Sequence, residues 1–213
     1  VKIDAALLHQ TIYNTLIFTP GKGEAKKTTT RGDVLLSARS DGMFFIATEG
    51  YVVLSEKFPA VNIDIPPGDS VECWIRGDEL REFEKALREI KGEISLSLPP
   101  FDLSIDDGPT LKLLLSSDAK DYWDGVRKLL AGKGVDGDAL DGPFAIGPDR
   151  LSKFSRLKPQ GEYPLDLKRF VTESSQDLLY WKYGPAVRGI LVPLNRDIIR
   201  EHYAETPEVL WKG

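Results

Sequence analysis

GPFAIGPDRLSKFSRLKPQGEYPLDLKRFVTESSQDLLYWKYGPAVRGILVPLN, residues 142–195, is the stretch whose reading decides the fold. Pro148 directly after Gly147 suits the first turn of a helix, where the missing N–H is not needed and the proline φ is already helical. Leu151, Phe154 and Leu157 follow three apart, so one face of that helix is apolar while Lys153 and Arg156 project from another. Beyond Lys158-Pro159 the residues alternate through Leu165, Leu167, Arg169 and Val171. A polar break at 173–177 follows, and then two more apolar strands on either side of Tyr183-Gly184-Pro185. With a strand ending at Ile146, the stretch reads β-α-β-β-β and closes on the apolar Val192-Pro193-Leu194.

The same order of elements recurs upstream. Asp4 is placed to cap a first helix whose buried face carries Ala5, Leu8, Ile12 and Leu16 and which ends before Pro20. Residues 19–31 are polar, basic and glycine-containing and read as a mobile loop; its Lys22, Lys26, Lys27 and Arg31 either touch phosphate or are simply solvated. Period-two patterning with turns at Asp41-Gly42 and Glu49-Gly50 then gives three strands, 34–40, 43–48 and 51–57. After a proline-rich connector, a strand at 70–75 leads to Asp78, read as the cap of a helix over 79–91 stopped by Gly92. Leu80, Phe83, Leu87 and Ile90 form its apolar face, and Arg81, Lys85 and Arg88 form one basic ridge. Strands at 93–98, 101–106 and 110–116 complete the second unit. A short helix at 120–131 and a connector at 132–142, with glycines and aspartates, separate it from the third.

Composition narrows the function. An apolar content of 41% over 213 residues is enough for a sizeable core, and no run approaches the roughly 18 apolar residues of a membrane span. With no signal-peptide pattern at the start of the sequence, a soluble cytoplasmic protein is expected. The net charge of −5 argues against a surface that is basic all round, but not against cations gathered on one face. Cys73 lies in an apolar run and reads as a core residue. His9 and His202 belong to no metal-binding pattern, and neither GxGxxG nor GxSxG occurs. Gly21-Lys22-Gly23 lacks the remainder of a phosphate-binding loop, and Asp106, Asp107, Asp136, Asp138 and Asp141 occupy turn and linker positions. Trp74, Trp123, Trp181 and Trp211 read as core residues rather than base-stacking platforms. No catalytic centre, metal or cofactor is expected, so the protein reads as a non-enzyme.

FAIGPDRLSKFSRL (144–157), followed by three strands and ILVPLN (190–195), resembles the last unit of the bacterial β-clamp family, which typically closes on an apolar-Met-Pro-Met-Arg strand. DYWDGVRKLL (121–130) is similar to that family's Pro-Asp-Tyr segment, with Lys120 in the place of the proline. The resemblance covers 1–195 in the order of elements and the final fifty or so residues in residue type. It implies an α+β DNA-clamp fold of repeated β-α-β-β-β units, with helices on one face of antiparallel sheets. The domains would be a full one at 1–117 and a shortened second one at 118–195, with a tail at 196–213. It further implies a DNA polymerase sliding clamp, a processivity factor of bacterial or phage type that encircles double-stranded DNA without reading bases. Its partners would be a DNA polymerase and a clamp loader, and its ring a homo-oligomer, with a trimer favoured. Arg81, Lys85, Arg88, Lys153 and Arg156 would face DNA, and Val192, Pro193 and Leu194 would receive partner peptides. The alternatives are a clamp-like processivity factor that does not close a ring and a protein-binding module of the replication machinery.

Overall fold

In the computed structural model, each of the three units begins with a strand and a helix. The structure describes residues 2–20, 32–59, 63, 65–97, 102–105, 110–112, 120–131, 135–136, 145–158, 161–172 and 177–194. The first unit is β1 (Lys2–Asp4), α1 (Ala5–Ile17), β2 (Asp33–Arg39), β3 (Gly42–Thr48) and β4 (Val52–Phe58). The second is β5 (Val71–Arg76), α2 (Gly77–Leu87), β6 (Glu93–Ser97), β7 (Asp102–Ile105) and β8 (Thr110–Lys112). After α3 (Lys120–Leu130) the third comprises β9 (Val135–Asp136), α4 (Pro148–Phe154), β10 (Leu165–Thr172), β11 (Asp177–Tyr183) and β12 (Val187–Leu191).

Local chemistry sets the boundaries. Asp4 caps α1 as its sequence position predicts, one carboxylate oxygen accepting from the Ala6 and Leu7 amides at 2.7 and 3.1 Å. Pro148 opens α4 with Gly147 as N-cap. The second helix departs from expectation, spanning 77–87 rather than 79–91, because β5 runs into it without a loop. Gly77 N–H donates to the Gly32 carbonyl at 3.1 Å, and a Cβ at Gly77 would stand 2.3 Å from that oxygen, so only glycine permits the junction. Asp78 therefore sits inside the first turn, where its charge suits the helix dipole, and is not the cap.

The first two units exchange their leading strands. The four-stranded sheet has the order β1-β6-β7-β8 and the eight-stranded sheet β5-β2-β3-β4-β12-β11-β10-β9. Thus β1 of the first unit lies beside β6, and β5 of the second beside β2. In the third unit β9 fills the corresponding slot beside its own β10. That strand falls in the segment expected to be a connector, whereas the described residues 145–147, where a strand is expected to end at Ile146, form none: the Ala145 carbonyl accepts from Leu194 N–H at 2.9 Å and the Gly147 carbonyl accepts from the first turn of α4.

The eight strands are continuous across the β4–β12 seam, where Val187 to Leu191 pair antiparallel with Glu56 to Val52. Bonds from Lys57 N–H to Ala186 and from Val192 N–H to Tyr51, at 2.9 and 2.8 Å, extend the seam at both ends. One core packs α1, α2 and α4 on a single face of this sheet, through Leu8, Ile12, Leu80, Phe83 and Phe154 against Phe45, Leu54 and Trp181; Ile3 and Ile94 bring in the smaller sheet. A smaller cluster on the opposite face holds Trp123 and Val126 of α3 against Leu35, Ile46, Val53 and Trp74. All the tryptophans among the described residues are buried, as is Cys73. On α4 the apolar face is narrower than the spacing suggests: Phe154 and Leu157 are buried, but Leu151 is half exposed, at 51%. The basic segment at 21–31 and the tail at 196–213 lie outside the described residues.

Candidate nucleic-acid interface and partner groove

The five cations picked out by helical periodicity divide into two groups. No basic residue stands in the last turn of α1, so its C-terminal carbonyls receive cations from other helices. Arg81 of α2 donates from Nη2 to Thr19 Oγ1 at 2.9 Å and to the Pro20 carbonyl at 2.6 Å. Lys153 of α4 donates to the Ile17 carbonyl at 3.3 Å and pairs with Glu49. Both side chains converge on the end of α1 and hold the three helices together.

The remaining cations stand at the surface. Lys85 Nζ is 2.9 Å from Glu82 Oε1, both side chains being exposed, so the pair is worth little and is easily exchanged for another anion. Arg88 clasps Glu84 through two bonds of 2.9 and 3.0 Å, which raise its pKa further above the usual value. Glu84 is itself buried and lies 2.7 Å from His9 Nε2, a contact 75 residues apart in sequence that no local pattern signals. Arg156, just beyond α4, is exposed, and its side chain makes no hydrogen bond or ion pair with another described residue.

On the other face α3 lies across the strands. Trp123 meets Trp74 with ring centroids 5.2 Å apart, and Tyr180 donates its hydroxyl to the Leu129 carbonyl. Between α3 and the seam runs an apolar groove of about 300 Å³, lined by Thr48, Tyr51, Val126, Leu129, Ile190 and Val192 among others. Of the three residues expected to receive a peptide, Val192 lines the groove and Leu194 is half-buried, whereas Pro193 is buried. Arg150 braces this end, donating to the Val192 carbonyl and stacking 4.3 Å from the Tyr51 ring centroid. Tyr51, in the groove wall, is more than half exposed and leaves further apolar surface there. Tyr51 and Leu129 were not legible as groove residues, since they meet Val192 only through the seam and the placing of α3.

A buried acid lies on the helix side. Glu56, 1% exposed, takes a bond of 3.2 Å from Asn14 Nδ2, and burial pushes its pKa up to about 8 against the pull of Asn14 and Thr11. Asn14 also bridges to the backbone of Lys158, so the acid belongs to the packing of α1 on the seam. No group of three or more His, Cys, Asp or Glu able to hold a metal occurs among the described residues. Nor is any helix among them long and apolar enough to cross a membrane.

No protein-family model matches the chain, and no curated protein matches it by sequence. Solved structures do match. The DNA polymerase sliding clamp from Bacillus subtilis aligns with a TM-score of 0.55 at 12% identity, covering 92% of this chain and 64% of that one. The DNA polymerase III subunit beta from Pseudomonas aeruginosa gives 0.60 at 12%, covering 92% and 66%. The beta subunit from Thermotoga maritima gives 0.57 at 9%, covering 92% and 65%. The fold is therefore the α+β fold of the sliding clamps, and this chain spans less than two thirds of the length of these clamps.

Proposed function

We propose that the protein is a sliding clamp that holds duplex DNA against its helix-bearing face and tethers a DNA polymerase through its outer face. The observation that carries this reading is the clamp fold itself, matched over 92% of the chain. Lys85, Arg88 and Arg156 are the exposed cations that meet phosphate, Lys85 and Arg88 by sharing or exchanging their carboxylate partners Glu82 and Glu84, while Arg81 and Lys153 stand behind them as anchors of α1. Contacts of this kind give attraction without base readout, which a sliding protein requires. The groove at Val192 receives an apolar segment of the polymerase or of a clamp loader; Pro193 and Leu194, which follow Val192 in the chain, are the other residues assigned to that partner. No step of this function needs a catalytic group or cofactor. The chain divides near residue 117 into a full domain and a shortened one, with the tail beyond 195 separate, and the protein works in a bacterial or phage-infected cytoplasm.

A trimeric ring of such chains requires two unlike free edges per chain. The last strands of units one and three, β4 and β12, already pair with each other, and β8 is the one last strand without a partner on its outer side among the described residues. That observation favours a second reading, a two-fold dimer that pairs β8 with β8 and grips DNA without closing a ring. Light scattering with electron microscopy of the purified protein separates them. A trimer enclosing a hole wide enough for duplex supports the ring, a dimer supports the open grip, and a monomer at micromolar concentration that does not bind DNA contradicts both.

A further inference from the structure

A second groove lies beyond α3, on the side away from the apolar one, and its walls are cationic. On the strands the two grooves are successive: Val53 and Ile190 line the first, while Ser55 and Arg188, two residues further along β4 and β12, line the second. The second has a volume of about 300 Å³ and an apolar floor containing Phe44 and Ile46. Its cations come from three elements: Arg39 from β2, Arg188 from β12, and Arg127 and Lys128 from the last turn of α3. No carboxylate is among its lining residues. Arg127 is held by Glu72 and Asp124, and Arg39 stacks 4.9 Å from the Phe44 ring centroid. Lys128 and Arg188 are exposed and pair with no described carboxylate. Lys128 also eases the charge of the α3 carbonyls, but Arg188 has no such duty.

We propose that this groove takes the acidic end of a partner protein's peptide whose apolar end sits in the groove at Val192, the peptide crossing over α3. The proposal rests on reading the apolar groove as a peptide site. The arc over a helix about 10 Å across is about 16 Å long and takes about five extended residues, so the acid stands about five positions from the apolar anchor. A concavity of this size with an apolar floor suits a side chain, whereas duplex DNA presents phosphates along a convex edge. In an acidic protein, two unpaired cations opposite an apolar groove select acidic partners and repel basic ones.

The test uses two fluorescein-labelled peptides, Gly-Leu-Phe-Ser-Gly-Ser-Asp-Glu-Gly and its analogue ending Asn-Gln-Gly, in anisotropy titrations with the full chain. The acidic peptide is expected to bind about tenfold tighter at low salt, with the gap closing in high salt. The exposed double variant K128E/R188E, its fold checked by circular dichroism, loses the gap while still binding the amide peptide. Equal affinity of the two peptides, or a gap that survives the double variant, overturns the proposal and leaves the apolar site standing. If neither peptide binds, the peptide-site reading itself fails and the proposal with it. If K128E/R188E weakens binding of a 20-base-pair duplex without altering peptide preference, the groove serves nucleic acid and the proposal is overturned.

Discussion

The two halves of the eight-stranded sheet mirror each other about the β4–β12 seam, yet they are finished differently. In the half β5-β2-β3-β4 the helix-side face is apolar along β2 and β3, through Val34, Leu36, Met43 and Phe45, and the outermost strand is six residues borrowed from the second unit. In the half β12-β11-β10-β9 the same face runs through Leu167 and Trp181 and then turns polar. There Arg169, 6% exposed, bonds to both Asp177 oxygens at 3.1 Å, and the outermost strand has two described residues. Among the described residues, the edge of the third unit is closed by a short strand of its own and an ion pair. Such a pair holds a place in the sheet without adding the stability of an apolar core.

Breaking the seam tests whether the halves are one body. Gly189 pairs with Leu54, and a Cβ there would lie 1.9 Å from the Val53 carbonyl oxygen and 2.5 Å from the Trp181 ring. Gly189→Val should cost about 5 kcal/mol or more in urea unfolding, or prevent folding; a loss under about 1 kcal/mol would mean the seam does not join them.

Glu56, on the first half at the seam, gives the comparison a pH dependence. Folded, its carboxyl stays neutral up to about pH 8, whereas in the unfolded chain it ionises near 4.5. Between those values the folded state keeps a proton that the unfolded state has lost, so stability falls as pH rises from about 4.5 and the full cost is reached above about 8. The stability of the wild type relative to Glu56→Gln should therefore decline by roughly 3 to 5 kcal/mol across that window. A difference that is flat with pH would contradict the burial.

In the other half Asp177→Asn leaves Arg169 buried without its carboxylate and should cost about 3 kcal/mol in thermal or urea unfolding. An effect near zero would show that the second half does not depend on this pair. At the small end, Gly125 on α3 has open space around its Cβ position, so Gly125→Ala should raise stability by about 1 kcal/mol at most. A loss would mean that α3 lies closer to the sheet than it does here.

Local chemistry was legible in the sequence, and long-range pairing was not. The Asp4 cap, the Asp41-Gly42 turn with its positive φ at Gly42, and Pro148 in the first turn of α4 all follow from the residues themselves. The exchange of leading strands does not, because Lys2 finds Ser95 and Val34 finds Ile75 across segments that carry no mark of the pairing. Periodicity likewise put Arg81 and Lys153 on exposed faces, and only the packed helices show that both are used at the end of α1. The candidate groove was legible at Val192 alone. Gly189 did carry a signal, a lone glycine within a strand, which marks close approach of another group.

Duplex binding under increasing salt tests the central claim most directly. Wild-type protein and the variant K85E/R88E/R156E, all three sites exposed, are titrated with a fluorescent duplex of arbitrary sequence. The account predicts sequence-independent binding that weakens as salt rises, and a loss of tenfold or more in the variant. The log–log salt slope should be shallower by about one for each phosphate contact removed. A folded variant with the affinity and salt slope of the wild type would contradict a DNA-holding role for the helix-bearing face.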